Sequence, residues 1–275
     1  MRRAGIWSSY LIDASPEEMV SLFALHGWHD LEFSDEHGHM LLARGGDAAA
    51  VGNKFREFAA DHAVVFPQGH LWLSCDICVS DNGATIETLK RWLDLFLGIG
   101  VKAAVLHAGG HSLVKAGVPS ERIFDMRIAA LRALTAHLKG TAMKIALENL
   151  FDNNVPTADE LNPLVDALDS NIGICLDTGH LNIVKGDPGV FIRKAGSRLC
   201  ALHIADNEGN YDQHLMPYGR GTVNWKTFMA AIREVGYDGL MNLEIPGENQ
   251  CPLPVRLMKL DYLRRTMSFL LEDGQ

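Results

Sequence analysis

Eight short apolar runs, separated by amphipathic stretches, limit more than any other feature what this chain can fold into. The runs are Gly5–Tyr10, Asp30–Phe33, Ala63–Phe66, Ala103–His107, Lys144–Glu148, Gly173–Asp177, Cys200–Ile204 and Leu240–Ile245. Segments such as AAVLH, KIALE, GICLD and CALHI do not alternate between apolar and polar residues. They read as parallel strands buried on both faces. From Gly5 to Leu240 the units repeat at about 34 residues, and eight βα units at that pitch predict a (β/α)8 TIM barrel. The expectation is one domain over residues 1–275. An open doubly wound sheet is the alternative. It fits less well, because Gly98-x-Gly100 precedes a strand, whereas a nucleotide-binding loop follows one.

The segments between the runs carry helix signals. PEEMVSLFALHG follows Ser15, places Pro16 in the first turn and stops at Gly27. SERIFDMRIAALRALTAHLKG starts at a candidate cap, Ser120, and CPLPVRLMKLDYLRRTMSFLLEDG forms a last helix. EFSDEHGHMLLARGGDAAAVG is the one long polar insert, expected as a loop over the barrel mouth.

With 25 basic and 34 acidic residues the chain carries a net charge of −9, so its surface repels phosphate backbones and disfavours nucleic acid. Five sparse cysteines suit a reducing cytoplasm better than a disulfide scaffold. No run approaches the roughly 18 apolar residues of a membrane helix. The apolar stretch near the start is short and broken by Ser8 and Ser9, unlike a signal peptide.

The chemistry lies where the strands end. Five runs close on or near a group that can bind a metal: His107, Glu148, Asp177, His203 and Glu244. All five are expected at the C-terminal rim, where barrel active sites are assembled from several strands. Such groups repel and lose solvation when gathered in one mouth, unless a cation or a hydrogen-bond network satisfies them. Glu148, Asp177, His203 and Glu244 are the expected ligands of a divalent metal ion. Their mixed oxygen and nitrogen donors suit Mn, Mg, Co or Zn without choosing among them.

Further residues are candidates around this set. The turn DTGH brings His180 back towards the mouth as a substrate-polarising or second-metal residue. Asp212-x-His214 offers another carboxylate–imidazole pair. Arg220, between two glycines, can grip an anionic or polyhydroxy substrate. His70, His107 and His111 complete a candidate histidine ring. Trp28, Trp72 and Trp225 read more readily as core than as a wall for a sugar ring. Cys75-x-x-Cys78 lacks a second pair and reads as unremarkable thiols. No P-loop, HExxH or GxSxG motif occurs.

VLHAG, IALEN, CLDTGH, LHIADN, DQH with GRGTVNW, and LEI occur in that order between His107 and Glu244. In this the chain resembles the xylose-isomerase-like barrel superfamily. That group includes sugar-phosphate isomerases and epimerases, ketose 3-epimerases, inosose dehydratases and apurinic-site endonucleases of the endonuclease IV type. The resemblance implies that Glu148, Asp177, His203 and Glu244 hold one divalent cation, that His180 lies beside the substrate, and that Glu32 is a carboxylate near the pocket. The endonuclease branch uses nine ligands for three zinc ions. His70, His107, His180, Asp212 and His214 stand at candidate extra positions.

The implied activity is that of a metal-dependent isomerase or epimerase of a sugar or sugar phosphate. The expected mechanism is metal-assisted proton transfer next to a carbonyl. Glu148 and Glu244 act as base and acid on opposite faces, and His180 and Arg220 orient oxygens. His70, His107 and His214 are expected to contact substrate. A metal-dependent dehydratase of a keto-sugar or cyclitol and a zinc-dependent apurinic-site endonuclease are the alternatives. The expected partner is a small carbohydrate, with no membrane, and a homo-oligomer is compatible with the resemblance.

Overall fold

Alternation along each strand decides what lies inside this structure and what lies outside. The computed structural model describes residues 3–79, 81–168 and 170–272. Its elements in chain order are β1 (Arg3–Trp7), α1 (Pro16–Leu25), β2 (Asp30–Phe33), α2 (Asp35–Leu42), α3 (Ala48–Asp61), β3 (Val65–His70), α4 (Gly83–Ile99) and β4 (Ala103–His107). There follow α5 (His111–Lys115), α6 (Ser120–His137), β5 (Lys144–Glu148), α7 (Ala158–Asp166), β6 (Ile172–Asp177), α8 (Thr178–Ile183) and α9 (Pro188–Ala195). The chain closes with β7 (Leu199–His203), α10 (Trp225–Glu234), β8 (Leu240–Leu243) and α11 (Leu253–Glu272).

Consecutive strands pair in parallel from β1 to β7, and β8 pairs with β1. Between β7 and β8 a single parallel bridge joins Ile204 to Leu243. There Ile204 N–H donates to Asn242 O at 2.8 Å and Glu244 N–H donates to Ile204 O at 3.1 Å. The result is the expected (β/α)8 barrel, nearly closed, with helices around it.

Residues of one parity face the helices. Ala104 and Leu106 of β4, Ile145 and Leu147 of β5, Ile174 and Leu176 of β6, and Leu202 of β7 join the large apolar core. The other parity gives a separate small cluster inside the ring: Ala103, Val105, Ala146, Cys175 and Ala201. Because side chains alternate with a period of two, His107, Glu148, Asp177 and His203 share the inward parity. Small residues below them leave room on the barrel axis for buried Gln68, Glu32 and Asn242.

Local signals behave as the sequence suggests at α1, where Ser15 and Glu18 form a reciprocal capping box. Four expectations need correction. The first strand runs Arg3–Trp7, not Gly5–Tyr10, because Ser8–Leu11 turns as a 3₁₀ helix. The third strand runs Val65–His70, not Ala63–Phe66: Ala63 takes a left-handed φ of 57°, and the register with β2 jumps from Asp30↔Val65 to Glu32↔Gln68. That extra residue makes a bulge, one of the few places where a strand accepts a proline such as Pro67. Ser120 is the first residue of α6, after Pro119 at the cap position.

The polar insert expected as a loop is helical. Ser34 and Asp47 accept backbone N–H groups of His37 and Ala50 and start α2 and α3. Helix α3 then packs on α4 at van der Waals closeness through Gly52 and Gly98. A Cβ on Gly98 would lie 2.3 Å from Ala49 O, and one on Gly52 2.3 Å from Leu95 O.

Gly98→Ala therefore tests the packing. Helix propensity alone would stabilise α4 by about 0.5–1 kcal/mol. The contact should reverse the sign, with a loss of about 1–3 kcal/mol in chemical denaturation.

Candidate metal centre

The inward parity brings Glu148, Asp177 and His203 to one level, and Glu244, next after β8, joins them. One ligand atom from each of the four lies within 4.8 Å of all the others, and all four residues are buried. That span is close to the distance of about 4.2 Å across a cation bound at about 2.1 Å. Glu148 Oε2, Asp177 Oδ2 and Glu244 Oε2 are buried and accept no hydrogen bond. Buried carboxylate oxygens are costly in that state, so the donor set fits a divalent ion.

Each donor is held by its neighbours. Asp177 caps α8, with Oδ1 accepting His180 N–H at 2.5 Å, which leaves Oδ2 for the centre. Asn149 ties the ends of β5 and β6 together: its Oδ1 accepts Asp177 N–H at 2.7 Å and its Nδ2 donates to Asp177 O at 3.0 Å. His203 Nδ1 lies 3.1 Å from Glu148 Oε1 and 3.3 Å from Glu244 Oε2.

Two further donor groups flank this one: His70, His107 and Glu148 on one side, and His180, Asp212 and His214 on the other. The imidazoles show what these groups require. Nδ1 of His70, His180 and His214 faces the backbone oxygens of Leu71 (2.7 Å), Asn149 (2.9 Å) and Glu244 (2.8 Å). A carbonyl only accepts, so each Nδ1 carries the proton. In a neutral ring Nε2 then bears a lone pair, and each Nε2 points at a carboxylate. His70 Nε2 lies 3.4 Å from Glu148 Oε2, while His180 and His214 Nε2 lie 3.2 Å and 3.0 Å from Asp212 Oδ2. Lone pair facing lone pair is repulsive unless a proton or a metal ion lies between. Holding the far N–H on a carbonyl is also how metal-binding histidines are oriented.

The electrostatics agree. Burial opposes a charged ring at His70 and His214, yet Glu148 raises the first to about 9, and Asp212 with other carboxylates raises the second to about 10. Burial also opposes charge at Asp212 and Glu148, but the surrounding imidazoles hold both below the usual carboxylate range. Burial pushes Glu244 up to about 8 against the pull of His203 and His214.

The remaining candidates lie outside the three groups. His111 is half exposed and meets Asp152 at 3.0 Å. Arg220 is 68% exposed, 3.9 Å from Glu208. Trp28 and Trp225 are buried, their indole N–H groups donating to Leu260 O and Asp206 Oδ2. Cys75 and Cys78 are free, buried thiols. A cavity of about 530 Å³ adjoins the flanking group, with His214, Met216, Ile245 and Tyr262 among its walls.

Several residues outside the three donor groups shape this region. Buried Arg127 of α6 donates to Ala108 O (3.1 Å), Gly109 O (2.7 Å), Asn153 O (2.7 Å) and Asn154 Oδ1 (3.1 Å), clamping the loops that follow β4 and β5. Asp206 accepts from Asn207 N–H, Val223 N–H and Trp225 Nε1–H, and so folds the loop that carries Asp212 and His214. The polar residues in IALEN and HIADN, Asn149 next to Glu148 and Asp206 three after His203, are the available signal for these two. Arg127 carried none, being one more charge on an amphipathic helix.

A pH experiment checks the Asp212–His214 pair. His214 rises from 6.5 to about 10 in the folded protein, so its ionic contribution is complete below pH 6.5 and lost as pH climbs through 10. With chelator present, the destabilisation caused by His214→Gln should be greatest near pH 6 and shrink towards pH 10, read as denaturation midpoints.

The pattern of the family described as "Xylose isomerase-like TIM barrel" matches residues 26–272. The chain spans about half the length of the first curated relatives it matches, 52% and 56%. D-psicose 3-epimerase of Enterocloster bolteae is 35% identical over 202 residues, 70% of this chain and 65% of the relative. Inosose dehydratase of Lacticaseibacillus casei is 24% identical over 275 residues, 87% of this chain and 91% of the relative. The solved structure of an L-ribulose 3-epimerase shares the fold with a TM-score of 0.81 at 20% identity, covering 100% of this chain and 96% of that one. Among the described residues no helix is long and apolar enough to cross a membrane. With its fold, its rim of donors and a sequence pattern matched over nearly its whole length, the chain belongs to the xylose isomerase-like TIM barrel family.

Proposed function

We propose that this chain is a divalent-metal-dependent isomerase or epimerase of a small carbohydrate, a sugar or sugar phosphate, working as one barrel over residues 1–275. The observation that carries the reading is the four-donor group, in which Glu148 and Glu244 approach one centre from strands three apart in the ring, each with a buried oxygen that accepts no hydrogen bond. The similarity to a D-psicose 3-epimerase and to an inosose dehydratase supports it. Glu148, Asp177, His203 and Glu244 would hold one Mn, Mg, Co or Zn ion. When bound, that ion supplies Lewis acidity to a carbonyl and a neighbouring hydroxyl.

The side chains do the rest. One of Glu148 and Glu244 accepts the proton from the carbon beside the carbonyl, and the other delivers a proton from the opposite side. Return to the same carbon with inverted configuration is epimerisation, and return to the neighbouring carbon is isomerisation. Loss of hydroxide after the same first step is dehydration, the variant favoured by the inosose dehydratase relative. His180 orients substrate oxygens, His70, His107 and His214 contact the substrate, and Arg220 on its loop closes over an anionic or polyhydroxy end. Five free thiols support a cytoplasmic setting. The apolar exposed run Val255, Met258, Tyr262 and Phe269 on α11 supports a homo-oligomer.

The flanking donor groups favour one other reading. Nine residues in three groups suit three ions, as in a zinc-dependent apurinic-site endonuclease. A net charge of −9 weighs against a nucleic-acid partner.

Two experiments decide. Metal analysis of the purified protein should give one exchangeable ion per chain for sugar chemistry. Three tightly held zinc ions, together with binding of abasic-site DNA at moderate salt, would replace that reading with the nuclease. In deuterated solvent the wild type should incorporate label into a keto-sugar or cyclitol substrate. Glu148→Gln and Glu244→Gln should each lose at least about 100-fold of that rate while remaining folded, and unchanged incorporation in both removes the proton-transfer assignment.

A further inference from the structure

Beneath the four-donor group lies a carboxylate that cannot reach the centre with a free oxygen. Glu32, on β2, is fully buried inside the barrel, and its ion pair among the described residues is with His203. Its Oε1 lies 2.9 Å from His203 Nε2, and Asn242 Nδ2 donates to its Oε2. Both oxygens are therefore occupied, and Asn242, two residues before Glu244 on β8, prevents the carboxylate from turning away. A leucine would fill this level of a barrel without the desolvation that a carboxylate suffers there.

We propose that Glu32 is a positioning residue that decides which nitrogen of His203 faces the ion. By accepting the Nε2–H it leaves the Nδ1 lone pair directed at Glu148 and Glu244. In the other tautomer the Nε2 lone pair would face a carboxylate, and the Nδ1–H would point at the centre. The contrast with the flanking rings sharpens the assignment. His70, His180 and His214 are held through Nδ1 by neutral backbone carbonyls and present Nε2. His203 is held through Nε2 by a buried anion and presents Nδ1. An anionic partner raises the basicity of the ligating nitrogen more than a carbonyl does, so the central ion receives the strongest imidazole donor of the set.

The inference rests on reading the four-donor group as a cation site, and the test separates the two. Zn²⁺ is titrated into ¹⁵N-histidine-labelled protein, and each ring is followed by its long-range ¹H–¹⁵N correlations. In the loaded wild type, His203 should show a protonated Nε2 and a ligated Nδ1. Glu32→Gln should weaken Zn²⁺ at His203 by 10- to 100-fold, while the signals of His214 titrate as before. A wild type that binds neither Zn²⁺, Co²⁺ nor Mn²⁺ overturns the cation reading and this proposal together. If His203 carries its proton on Nδ1 in the loaded wild type, or if Glu32→Gln weakens all the rings equally or not at all, the cation reading stands and the role of Glu32 falls. The wild-type measurement needs no variant, so it decides even if Glu32→Gln does not fold.

Discussion

Electron pairs that face one another across the mouth of this barrel are the constraint on which everything else depends. The carboxylates of Glu148, Asp177 and Glu244 gather around His203, and that of Asp212 around His180 and His214, each with a buried oxygen that accepts no hydrogen bond. Such an arrangement is stable only if positive charge fills the gaps, from protons on the rings or from bound ions. The scaffold spends its ordinary strengths on holding the groups in that position. Small residues inside the ring make room, a double amide bridge from Asn149 ties two strand ends, and a buried guanidinium clamps two loops.

The same side chains serve both architecture and chemistry. Asp177 starts a helix with one oxygen and offers the other to the centre. His214 sits in a left-handed backbone conformation with φ of 46° and fastens its ring to the carbonyl of Glu244, so a strained loop and the end of β8 hold one another in place.

Much of this was legible in the chain, for a definite reason. A strand of a barrel has two parities, and a charged residue closing an apolar run declares which parity faces the mouth. His107, Glu148, Asp177 and His203 could be placed together from that alone. What failed were local departures from the pattern. Pro67 and Gly69 disguised a bulged strand and hid that His70 ends it. The polar insert concealed two capped helices whose packing depends on Gly52 and Gly98, a contact between positions 46 apart. Arg127, Gln68 and Asn242 were invisible, because what each one holds is set by the fold and not by its neighbours in sequence.

The last joint of the ring has a consequence of its own. Strands β7 and β8 meet through one isolated bridge, whereas every other neighbour pair has a full ladder. His203 stands on one side of that joint and Glu244 on the other. An ion gripped by both would act as the clasp of a bracelet, so the event that arms the chemistry would also be the one that fastens the circle.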